Sequence, residues 1–235
     1  KGNVSFTAVQ ARHNPGYQCV PSSSPIPTAT PVVSPIPSPS PIVCNQADVM
    51  LVLDRSGSIN STELGQLKTA AKDFVDALAL STLGIHAGKS SFATTGSLNH
   101  HLSDDPVSVK ASIDAMVAGG FTNLKAGIDL AKTELDFPGD GHDRLDLTSP
   151  DKMIIVTDGH PNRPLPESTA DDVAATSADV ARAAGVEIFV VGVGSNVNET
   201  YLKNEIADDA GHYYSSSDYS GLQTTLQNLD LCVGG

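Results

Sequence analysis

A doubly wound, mostly parallel α/β sheet flanked by helices is the fold class predicted for this 235-residue chain. Three observations predict it. Short apolar runs rich in Val and Ile alternate with segments of helical period. The runs are apolar at nearly every position, as strands buried on both faces must be. Hydroxyl and carboxylate residues cluster just after these runs, where open parallel sheets place their ligand sites.

The elements follow in order. Residues 1–19 hold an alternating run, Asn3 to Val9, that reads as a short strand. Residues 20–43 form a Pro/Ser-rich segment with eight prolines from Pro21 to Pro41. Proline cannot donate to a ladder or a helix, so polyproline II is expected, and Pro21 to Pro41 would reach roughly 65 Å. The Ser-Pro and Ile-Pro repeats resemble the stalks of hydroxyproline-rich extracellular glycoproteins. Residues 44–235 form the α/β domain. Ala47 to Leu53 is its first buried strand. Leu64, Leu67, Ala71, Phe74, Val75 and Leu78 recur at helical spacing. Ile85 to Thr94 reads as a weaker strand, antiparallel or at an edge. Val107 to Val117 is a short helix before Gly119-Gly120, and Leu124 to Leu135 is a second amphipathic stretch. Lys152 to Thr157 is a buried strand. Val173 to Ala184 is helical and stops at Gly185. Val186 to Gly192 is the third buried strand. Leu202 to Ala207 is helical, His212 to Tyr214 a short strand, and Tyr219 to Leu229 the last helix.

Composition narrows the function. Lys+Arg is 14 against 27 Asp+Glu, a net charge of −13. A surface of that sign argues against nucleic acid as a partner, because phosphate binding needs a basic face. No apolar run approaches the length of a membrane span. Cys19, Cys44 and Cys232 form no C-x-x-C pair, so no zinc or redox motif is visible. Cys44 and Cys232 bracket the α/β domain, a placement that suggests a disulfide, with Cys19 left to compete, to stay free or to pair with another chain. Asn3, Asn60 and Asn198 begin N-x-S/T triplets and are glycosylation candidates. The chain begins at Lys1 and reads as a processed product or a segment of something longer.

The chemistry sits in three places: Asp54-Arg-Ser56-Gly-Ser58 after the first strand, Gly119-Gly-Phe-Thr122 before a helix, and Thr157-Asp158-Gly after the second buried strand. Two carboxylates and three hydroxyls are hard oxygen donors suited to a hard divalent cation. Asp143 and its neighbours Asp136, Asp140, Asp146 and Asp151 crowd one Gly-containing loop without EF-hand spacing, and read as a solvated acidic loop, with a second Ca²⁺ site as the alternative. His160, Asn162 and Arg163 follow Asp158 and read as solvated. Gly84 to Ser90 is one residue short of a phosphate-binding loop and lies in a strand pattern, so it is rejected.

Asp54-x-Ser56-x-Ser58, Gly-Gly-x-Thr122 and Thr-Asp158-Gly together resemble the metal-ion-dependent adhesion site of the von Willebrand factor type A family, whose members include integrin inserted domains. The resemblance covers residues 47–231. It implies that Ser56, Ser58 and Thr122 offer hydroxyls to Mg²⁺ (or Ca²⁺ or Mn²⁺), that Asp54 and Asp158 bind it directly or through water, and that an acidic side chain of a protein or glycoprotein ligand completes the shell. Flanking cysteines are common in secreted members, which supports the Cys44–Cys232 pairing. The expected function is an extracellular, non-enzymatic adhesion or assembly module. The alternative is a structural subunit of a filament or matrix, self-assembling through the stalk or the N-terminal strand with the metal site incidental.

Overall fold

The computed structural model describes residues 46–136, 141–145 and 149–231. Cys19, Cys44, Cys232, Asn3 and the Pro/Ser-rich segment lie outside the described residues. Six strands make one sheet in the order β3-β2-β1-β4-β5-β6. They are β1 Ala47–Asp54, β2 Ile85–Phe92, β3 Gly96–Ser103, β4 Asp151–Thr157, β5 Glu187–Val193 and β6 Tyr213–Ser216. All neighbours are parallel except β2 and β3. The helices are α1 Ser61–Leu78, α2 Pro106–Asp114, α3 Leu124–Leu135, α4 Ala170–Ala183, α5 Glu199–Tyr201, which runs into a π-turn over Leu202–Ile206, and α6 Leu222–Gln227.

β1 and β4 are buried at every position. On β1, Val49, Leu51 and Leu53 pack with α1, α2 and α6 on one face. Met50 and Val52 pack with α3 and α4 on the other. Covering both faces removes the polar half of the alternation, which explains the unbroken apolar runs.

Two expectations change. Ile85 to Thr94 lies inside the sheet rather than at its edge: β2 runs parallel to β1 over its whole length and antiparallel to β3. The edge on that side is β3, a strand the apolar pattern does not reveal, because Gly-Ser-Leu-Asn-His-His-Leu-Ser carries only two apolar residues. The strands near β6 also shift towards the carboxyl terminus, and α6 is shorter than its pattern.

Helix ends are set by side chains. Asn60 caps α1, its Oδ1 accepting from Thr62 N at 2.9 Å and Glu63 N at 3.1 Å, while Glu63 accepts from Asn60 N at 2.8 Å. Gly185 ends α4 with φ +97°, a conformation that favours glycine. Arg182 of α4 donates to the carbonyls of Ile206 at 2.7 Å and Ala207 at 3.2 Å, satisfying the end of the π-turn. No helix among the described residues is long and apolar enough to cross a membrane.

At the amino ends of the strands, Arg144 grips Asp48 with Nε at 2.9 Å and Nη2 at 2.7 Å, and donates to Ala47 O and Gly84 O. The carboxylates of Asp48, Asp143 and Asp151 meet there, within 4.8 Å of one another. Asp143 and Asp151, read as part of a solvated loop, are thus gathered against the start of β1.

Candidate metal centre

The carboxyl ends of β1 and β4 are neighbours in the sheet, so Asp54 and Asp158 arrive side by side. Asp54 ends β1 and is wholly buried. Its Oδ1 accepts from Ser56 N at 2.8 Å and its Oδ2 from the Thr157 hydroxyl at 2.7 Å. Ser56 Oγ and Ser58 Oγ are 2.9 Å apart, and Ser58 Oγ donates to Asp158 Oδ1 at 2.7 Å. A continuous chain of hydrogen bonds therefore runs from Asp54 through the two serines to Asp158.

Thr122 comes from the loop between α2 and α3. A Cβ on Gly159 would stand 3.9 Å from its Oγ1, which places the hydroxyl over the Asp158 loop. The loop is locked to its neighbours. Gly57 N donates to Gly120 O at 3.0 Å and Gly119 N to Arg55 O at 2.8 Å. A Cβ on Gly57 would meet Gly120 O at 3.0 Å, and Gly120 itself has φ +90°, so both positions need glycine. The structure thus brings Asp54, Ser56, Ser58, Thr122 and Asp158 together.

The electrostatics fit a cation. Burial pushes the Asp54 carboxyl from 3.8 up to about 6, against the hydrogen bonds from Thr157 and Ser56. Burial also raises Asp158, with Ser58 opposing. Two buried or half-buried carboxylates with no basic partner among the described residues are a cost that a divalent cation removes. The donor set, two carboxylates and three hydroxyls, is all hard oxygen.

The motifs do not give the roles of several residues here. Thr157 orients Asp54. Asn162 is not solvated: its Oδ1 accepts from Thr122 N at 2.8 Å and its N donates to Thr122 O at 2.9 Å, so it clamps Thr122. Arg163 stacks its guanidinium 3.5 Å from the Phe121 ring centroid. His160 is exposed, 3.9 Å from Asp171. Tyr219 is buried beside the site; burial and then the charge of Asp158 raise its phenol. The triplet asparagines Asn60 and Asn198 both cap helices, Asn198 accepting from Tyr201 N at 3.1 Å.

The chain matches the model of the von Willebrand factor type A domain over residues 48–228. It is 32% identical to a UPF0353 protein of Mycolicibacterium paratuberculosis over 159 residues, which is 66% of this chain and 46% of that protein. It is 30% identical to Matrilin-1 of Homo sapiens over 203 residues, 80% of this chain and 38% of that protein. The chain therefore spans less than half the length of these relatives. Its fold is similar to that of proximal thread matrix protein 1 from the mussel byssus, solved with a zinc-occupied MIDAS motif. There the TM-score is 0.67 at 22% identity, covering 79% of this chain and 47% of the other. With a family match that takes in the whole sheet and all three loops of the site, the chain belongs to the von Willebrand factor type A domain family.

Proposed function

We propose that this protein is an extracellular adhesion or assembly module that binds a protein or glycan partner through a carboxylate bridged by a divalent metal. The observation that carries the reading is the hydrogen-bonded chain from Asp54 through Ser56 and Ser58 to Asp158. These donors are held in place by the fold before any cation arrives, and preorganisation lowers the cost of binding. In this reading Ser56, Ser58 and Thr122 offer hydroxyls, Asp54 and Asp158 offer carboxylates, and the partner's Glu or Asp takes an open position. Mg²⁺ suits the set, with Ca²⁺ or Mn²⁺ as substitutes. No enzymatic step is assigned in this reading, in which the carboxylates of Asp54 and Asp158 serve the cation.

Calorimetric titration with Mg²⁺ and Mn²⁺ tests the site. The intact chain is expected to bind one ion, and Asp54→Ala and Thr122→Ala to abolish or severely weaken binding. An intact chain that takes up neither ion sinks the reading. Binding to arrays of peptides that each carry one Glu or Asp is then expected in Mg²⁺ and not in EDTA.

The Pro/Ser-rich segment and the word matrix in the name of the mussel byssus protein favour a second reading, a structural subunit assembled through residues 20–43. Deleting Pro21 to Pro41 would then stop self-association, whereas the metal-site variants would leave it intact.

A further inference from the structure

The face of the sheet covered by α1 and α2 hides a lysine that no acid answers among the described residues. Lys89 of β2 has no exposed surface. Its Nζ donates a single hydrogen bond, 2.6 Å to Ser112 O in the last turn of α2. An ammonium carries three donors, so two are left over. Burial and then the nearby charges of Arg55 and Lys68 bring it from 10.5 down to about 7. Arg55 itself uses only Nε, 3.2 Å from Ser91 Oγ, and its two Nη groups have no acceptor among the described residues. Lys68 is bound only to the Asp114 carbonyl, at 2.8 Å. Elsewhere among the described residues, seven other Lys and Arg side chains each pair with an Asp or Glu. Arg163 and Lys203 also lack an acid among the described residues but stand apart, whereas Arg55, Lys68 and Lys89 are near enough for their charges to act on one another, which in a chain of net charge −13 calls for an anionic partner.

A cavity of about 290 Å³ opens beside Arg55, lined by Arg55, Ser91, Ser97, Asn99 and Ser112 and closed by the residues that follow α2, with Lys89 behind it through its bond to Ser112 O. Ser91 Oγ donates to Asn99 Oδ1 at 2.7 Å, which leaves the Asn99 amide N–H groups without an acceptor among the described residues. The wall thus presents donors: guanidinium and amide at the surface, with an ammonium beneath the floor. Such a set matches a ligand that only accepts and is negatively charged. Arg55 stands between Asp54 and Ser56, so the cavity adjoins the metal loop while sharing none of its oxygen ligands.

We propose that this cavity is an oxyanion subsite that takes a single carboxylate, sulfate or phosphate group, held by Arg55 and Asn99 with Lys89 supporting it from below. The subsite is independent of the metal. It would give an acidic partner a second anchor beside the adhesion site, and it would bind a small anion with the metal site stripped.

The test titrates sodium sulfate into the ¹⁵N-labelled full chain in EDTA, at constant ionic strength held with sodium chloride. Saturable shifts are expected at the amides of Ser91, Asn99 and Ser112. Arg55→Gln and Lys89→Met are each expected to weaken sulfate by about tenfold or more, the scale of one lost charged hydrogen bond. Lys203→Gln, on the far face, is expected to change nothing. Parallel titrations with acetate and phosphate rank the oxyanion sources, and tighter binding of any of the three is consistent with the subsite. Shifts that never saturate with all three anions overturn it. So does wild-type affinity in Arg55→Gln or Lys89→Met, or a loss in Lys203→Gln equal to theirs. Should Lys89→Met fail to fold, Arg55→Gln and Asn99→Ala decide. A chain that binds sulfate but no Mg²⁺ would refute the metal reading alone.

Discussion

Asp54 carries its charge into a place with neither bulk water nor a basic partner. The rise of its carboxyl to about 6 corresponds to about 3 kcal/mol of penalty on the charged form. Replacing it with Asn keeps the shape and removes the charge, and the Thr157 hydroxyl can rotate to accept from the new amide. Asp54→Asn is therefore expected to stabilise the metal-free chain by about 1 kcal/mol or more while abolishing Mg²⁺ uptake. Urea unfolding in EDTA and calorimetry check the two halves. His212 behaves in the opposite sense. Partial burial lowers it, but its contacts with Asp209 and Glu187, each at 2.8 Å, outweigh burial and raise it overall. A raised histidine contributes stability that is full below about 6.5 and is lost as pH climbs through its folded value. His212→Gln is thus expected to cost more at pH 6 than at pH 9, as read by urea midpoints. Single residues also mark how far the sequence could be read. The five proposed metal ligands are legible because motif and spacing carry them. The roles of Thr157, Asn162 and Tyr219 are not, since each acts through a contact made only when β4 and its neighbours are assembled. Lys89 looks like part of a failed phosphate loop until the sheet shows it to be buried.

At the scale of elements, helix starts and stops are written in local chemistry and strand order is not. Asn60-Ser-Thr-Glu63 is at once a glycosylation triplet and a capping box, and the structure accounts for its Asn by the cap. Asn60→Ala is expected to cost about 1 kcal/mol, and Asn60→Ser, which also destroys the triplet, only a few tenths. Two helical glycines separate propensity from packing. A Cβ on Gly65 meets nothing within 4 Å, so Gly65→Ala is expected to stabilise by about 0.5–1 kcal/mol. A Cβ on Gly127 would press on Phe92 Cδ1 at 2.7 Å and Val52 Cγ1 at 2.9 Å. Gly127→Ala is expected to destabilise by about 1–3 kcal/mol despite its better helix propensity. Melting curves of the pair check both signs. β3 is the element that pattern reading loses. Its solvent side is polar and its Leu98 and Leu102 alone face cores, so it has neither the period of a helix nor the run of a buried strand. The position of β2 is lost with it, because only β3 makes β2 interior.

For the whole molecule, the two faces of the sheet carry separate apolar clusters that meet only through the strands. The fold class is legible at this scale because buried strands and amphipathic helices alternate, and the described residues of this chain build both clusters. Residues 44–235 produced alone are therefore expected to unfold in one transition, near the midpoint of the full chain, as followed by circular dichroism.

The place of β1 also decides how the domain bears mechanical load. Tension arriving through residue 46 pulls along the axis of a central strand that is parallel to both neighbours, eight residues in register with β2 and six with β4. Those ladders lie in shear and must rupture together, with the Arg144 latch on Ala47 and Asp48 at the point of attack. Tension from the Leu231 side meets six residues of α6 and the four paired residues of edge strand β6, which can peel one contact at a time. One end of the domain is built to hold and the other to give, so with thiols reduced, where no Cys44–Cys232 bond can carry the load past the domain, a pulled molecule is expected to yield at its carboxyl-terminal side while the strand that ends in Asp54 stays seated.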